Sequence, residues 1–159
     1  MLMKKDRLEF LKELVTVSSP SGFERPAQEI IKKRVSACAD IRFDVHGNMI
    51  SALNTEAETR IMLAGHVDEI GLMITHIDDN GFIYIDTIGG HDPSILVGQR
   101  VLINGAKGPV PGVIGKKPIH LMKPEDRKKG VSIDDIWVDI GAKNKKDAEK
   151  VAAVSDSLT

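Results

Sequence analysis

Leu8, Leu11, Leu14 and Val15 recur at spacings of three and four, which predicts one apolar stripe of a helix over about 4–17. Ser18-Ser19-Pro20-Ser21-Gly22 stops it. A second helix follows, with Ala27, Ile30, Ile31 and Val35 on one face and an end near Cys38. Pro26 is tolerated in its first turn, where the missing amide has no helical partner. From Ile41 the period falls to two: Ile41, Phe43 and Val45 alternate with Arg42 and Asp44, and His46-Gly47-Asn48 turns the chain toward Met49–Leu53. This is a hairpin with one wet face. Arg60-Ile61-Met62-Leu63-Ala64 is apolar without alternation after its first residue, the pattern of a strand covered on both faces in an α/β sheet.

Beyond Ile70 the texture changes, because no long helical pattern returns before Asn144. Gly71–Ile77 and Phe82–Thr87 flank Asp78-Asp79-Asn80-Gly81, whose Asn-Gly is a hairpin signal. Further β runs at Val97–Ile103, Val110–Ile114 and Ile136–Ile140 are separated by Gly- and Pro-rich turns, which suggests a small barrel or sandwich. A short helix, capped by Asn144, is expected over about 145–153. The reading is therefore an α/β lobe with a boundary near Ile70, then a β-rich unit.

Composition narrows the class without changing this picture. With 42% hydrophobic and 28% charged residues over 159 positions, the chain can bury a core and is not of a disordered type. Its apolar runs are too short to span a bilayer, and a net charge of -1 with scattered cations argues against nucleic-acid binding. No membrane and no nucleic-acid partner is expected. The charged start carries no export pattern, and the lone Cys38 has no internal disulfide partner; a buried inert thiol in a reducing cytoplasm is expected.

Candidate chemistry concentrates in Ala64-Gly65-His66-Val67-Asp68-Glu69. His66 is the first polar side chain after the apolar run, where open α/β sheets place ligands. Asp68, two residues on, is placed to accept the other imidazole N–H and fix the tautomer, leaving a metal-ligating nitrogen. A simple hydrogen-bonded pair at a strand end fits the spacing equally well. His76 is read as half-buried, facing the same way as Leu72 and Ile74; His91 lies in a Gly-rich loop and His120 in a surface loop, either at a subunit contact or purely structural. Asp78 and Asp79 are explained by turn hydrogen bonds, and no carboxylate pair suits glycoside hydrolysis.

The run Ala64–Phe82 resembles the glutamyl and deblocking aminopeptidases, a family of dinuclear metallopeptidases whose members assemble tetrahedrally. The likeness extends through Ser19–Glu24, His46-Gly47-Asn48, Ile88–Pro93, Leu96–Val101, Pro111–Gly115 and Ile136–Ala142. It implies an exopeptidase that removes N-terminal residues from peptides with two divalent ions, zinc or cobalt. His66 matches a metal ligand, and Asp68 the catalytic-site carboxylate that orients it. It also implies the fold class: the N-terminal part of an α/β metallopeptidase domain over 1–69, then a small β-barrel-like inserted and oligomerisation domain over 70–153. Residues 154–159 match the start of the return to the catalytic domain. Homo-oligomers, from a dimer to a dodecamer, are implied as well. The family's other ligands and its Glu-Glu pair match nothing here, so this chain by itself is expected to be inactive. The alternative expectation is a non-catalytic assembly fragment.

Overall fold

The computed structural model describes residues 4–159. The chain divides into two compact units, residues 1–68 and 69–159.

The first unit opens with helix α1, Lys5–Thr16, and helix α2, Arg25–Val35. An Arg34 Nη2 to Asp6 Oδ2 contact of 3.1 Å ties them together. Strands β1, Asp40–Phe43, and β2, Met49–Ala52, form the hairpin. The Arg25 guanidinium lies 4.3 Å over the Phe43 ring, and Gln28 Nε2 donates to the Gly47 carbonyl at 2.7 Å, so α2 is fastened to both strand and turn. Two expectations fail here. Cys38 lies beyond the end of α2 and is exposed, its thiol directed at the Val35 carbonyl at 3.4 Å. Residues 60–64 form no strand, and Ile61, Met62 and Leu63 are 84%, 87% and 94% exposed. A strand exists only through its ladder, and no strand pairs with this run among the described residues.

The second unit is a closed barrel with strand order β3-β4-β7-β6-β5-β8. Its strands are β3, Gly71–Ile77; β4, Ile83–Ile88; β5, Arg100–Gly105; β6, Gly108–Lys116; β7, Ile136–Asp139; and β8, Ser157–Leu158. Inward positions alternate as a barrel requires, and Ile74, Ile83, Ile103, Ile114, Ile136, Val138 and Leu158 are at most 1% exposed. Each such aliphatic side chain contributes roughly 1.5–3 kcal/mol on burial.

The structure corrects several expectations in this unit. A register shift between Ile74 and His76 inserts an extra residue into β3, so His76 turns outward while Ile77 resumes the inward face. Where a strand was expected from Val97, helix α3, Pro93–Leu96, comes first, and Gly98 at φ +85° turns the chain into β5. The expected helix over 145–153 is only α4, Lys145–Ala148, although Asn144 does cap it by accepting from the Asp147 N–H at 3.1 Å. Lys107 Nζ donates to the Lys150 carbonyl at 2.9 Å. Ser157–Leu158, expected to lead away from the β unit, pairs with β3 and β5 and closes the barrel. Reciprocal backbone bonds between Leu102 and Thr159, 2.7 and 3.1 Å, extend that pairing.

Candidate functional site

The candidate site is assembled within the first unit from two segments 47 residues apart. After α1, Pro20 is buried and begins a tight turn, its carbonyl accepting from the Phe23 N–H at 2.8 Å. Gly22 supplies the φ of +88° that the third position of a type II turn requires. Ser21 is thereby held at the second position, and its hydroxyl donates to Asp68 Oδ2 in a short hydrogen bond. The other oxygen of Asp68, Oδ1, lies 2.8 Å from His66 Nδ1.

Asp68 thus engages one neighbour with each oxygen, which suits it to orienting a partner. The Ser21 hydroxyl, then the His66 ring, hold its carboxyl below the ordinary value of 3.8. At neutral pH it is therefore ionised and only accepts, so a neutral His66 carries its proton on Nδ1 and turns the Nε2 lone pair outward. The His66 side chain is 87% exposed, against 28% for Asp68, so that lone pair is open to a ligand. The sign of the pH dependence follows. A lowered carboxyl pKa means the arrangement is intact above the ordinary value and is lost as pH falls through the lowered one. Ser21→Ala removes the larger cause and is expected to move the Asp68 midpoint up toward 3.8 in a carboxyl-carbon NMR titration. An unmoved midpoint would show that the hydroxyl does not set it.

Ser21 was not singled out in the sequence, because neither spacing nor periodicity links position 21 to position 68. The remaining candidates stay apart as chemistry. His76 is exposed on the outer barrel face, tilted against Tyr84 with ring centroids 6.1 Å apart. His91 is half-buried, with Nε2 enclosed and without a hydrogen bond. His120 sits exposed in a 3-10 turn, Ile119–Leu121. Asp78 accepts from the N–H groups of Asn80 and Phe82 at 3.0 and 2.9 Å, as an Asx turn does. Among the described residues no three or more His, Cys, Asp or Glu side chains gather as a metal site.

A family model described as M42 glutamyl aminopeptidase matches residues 47–159. The putative aminopeptidase FrvX of Escherichia coli is 33% identical over 145 residues, covering 90% of this chain and 40% of that protein. Among solved structures, a TET aminopeptidase from a marine-sediment Thaumarchaeota archaeon is 34% identical with a TM-score of 0.91, over 98% of this chain and 44% of its own. The TET1 peptidase of Pyrococcus horikoshii, described as assembling into a tetrahedron or a large octahedral shell, is 36% identical with a TM-score of 0.85, over 96% of this chain and 46% of its own. The chain thus spans less than half the length of each of these relatives.

Proposed function

Because the chain belongs to the M42 glutamyl aminopeptidase family, we propose that it forms the N-terminal part of a metal-dependent aminopeptidase that trims peptides from their amino ends. His66 is one metal ligand in this reading, and Asp68 positions it. The observation that carries the assignment is the 2.8 Å contact between His66 Nδ1 and Asp68 Oδ1, with the opposite face of the imidazole open. An oriented neutral imidazole is the donor that zinc and cobalt accept.

Two divalent ions, when bound, supply a polarised water and stabilise developing negative charge. The chain's own share is narrower. Asp68 accepts from Nδ1–H and so leaves Nε2 as the bare nitrogen of the neutral ring, Ser21 donates to the other Asp68 oxygen, and the Pro20–Phe23 turn keeps Ser21 in place. A catalytic zinc takes about three protein ligands, so the other donors come from outside the described residues. In this reading residues 1–69 belong to the catalytic domain, in the cytoplasm, and the barrel mediates assembly. Ile95, Leu102 and Val113 are exposed on the barrel, apolar surface that suits a homo-oligomeric contact.

The test is a cobalt(II) titration of the chain, following its five histidine ring signals by NMR. The His66 signals should shift first, and His66→Ala should remove that first phase. If His46, His76, His91 or His120 responds first, His66 is not the ligand. Hydrolysis of aminoacyl chromogenic substrates by the chain alone should stay at background. Turnover that disappears in His66→Ala would show the ligand set to be completed within this chain.

A further inference from the structure

Between β6 and β7 the chain runs through three 3-10 turns, Ile119–Leu121, Asp126–Lys128 and Ile133–Asp135. Residues of these turns and the end of β6 line an open cleft of about 430 Å3. Lys116, Lys117, Arg127 and Lys129 line it. The segment 116–135 holds six lysines and arginines against four acids, on a chain whose net charge is -1, so the positive charge is local. Asp135 is the one carboxylate of the lining, and its Oδ2 already accepts from the Ser132 N–H at 3.3 Å. The side chains of Lys116, Lys117 and Arg127 have no hydrogen bond or ion pair among the described residues.

Lys116, Lys117 and Arg127 leave net positive charge beside the single lining carboxylate, and a cleft lined by one sign of charge attracts anions. The remaining wall sharpens this. Met122 and Val131 line the same cavity, and Val131 packs against the barrel core. An apolar wall lowers the local dielectric and strengthens attraction to a bound anion. Arg127 adds a planar fork able to hold two oxygens of one phosphate or carboxylate.

We propose that this cavity is a binding site for a small polyanion, one that carries two or more phosphate or carboxylate charges. The site lies wholly within the barrel unit and does not depend on the aminopeptidase reading.

Calorimetric titration of the 159-residue chain with sodium tripolyphosphate and, separately, with citrate tests it. Emission from Trp137, which pairs with Gly115 beside Lys116, gives a second readout. Saturable one-to-one binding of at least one probe is expected, and the tighter probe identifies phosphate or carboxylate as the preferred charge. Arg127→Ala and Lys117→Ala should each weaken binding about tenfold, the scale of one lost charge-assisted contact. Lys146→Ala, an exposed cation on α4 that does not line the cavity, should leave affinity unchanged. Thermal unfolding of each variant shows that the barrel is intact, and Arg127→Lys should bind between wild type and Arg127→Ala. Absence of saturable binding by both probes, or equal weakening in Lys146→Ala, overturns the proposal.

Discussion

Leu158→Ala should lower the barrel's unfolding free energy by about 3 kcal/mol, the cost of a cavity at a fully buried leucine. Leu158 belongs to a strand of only two residues. Its side chain is nevertheless 0% exposed, and β8 is the strand that joins β3 to β5. Truncating it removes a wall of the core at the seam, where the short strand β8 and its flanking backbone bonds hold the ring shut. Guanidinium unfolding followed by Trp137 emission measures the loss, because Trp137 packs on Phe82 at a centroid distance of 5.4 Å and loses that contact when the barrel opens. A change below about 1 kcal/mol, the size of an average substitution, would mean that β8 is not part of the cooperative unit.

Gly105→Ala should be comparably damaging for a different reason. A Cβ at position 105 would sit 2.3 Å from the carbonyl oxygen of Val151, a backbone atom that cannot rotate away. The Val151 and Ala152 N–H groups both bond the Ala148 carbonyl at 3.0 Å, and Lys107 Nζ donates to the preceding Lys150 carbonyl, so the peptide units on both sides of Val151 are held. Overpacking against fixed backbone costs about 1–3 kcal/mol, and the upper part of that range is expected here. Gly90→Ala is the comparison, since nothing lies within 4 Å of a Cβ there. If the two variants melt together, the Val151 segment is loose and the close approach carries no constraint.

The barrel was legible because its strands repeat an inward-outward alternation that needs no knowledge of their neighbours. Val101 and Ile103, or Ile136 and Val138, read as core from period two alone. What escaped depends on partners or on single irregularities. A two-residue strand such as β8 has no period to detect, and the extra residue in β3 reverses His76 without any turn residue to announce it. Ile61-Met62-Leu63 reads as a buried strand because burial is a property of the sheet around it, and no such sheet surrounds it among the described residues. At the candidate site, the His66–Asp68 pair was visible from its spacing. Ser21 was not, since its place is fixed by a turn 47 residues away.

The pairing of β8 with β3 has a consequence for how the barrel is built into a longer chain. Leu72 faces Leu158 and Met73 faces Ser157, so the polypeptide enters and leaves the barrel on neighbouring strands, about 5 Å apart. A body with adjoining ends can be grafted into a surface loop of a host, or removed from it, while the host's backbone path is barely displaced. The same adjacency makes the barrel a natural subject for circular permutation. A short bridge from Thr159 to Gly71, with new ends opened in the Asp78–Gly81 turn, would preserve every strand neighbour while changing their order along the chain.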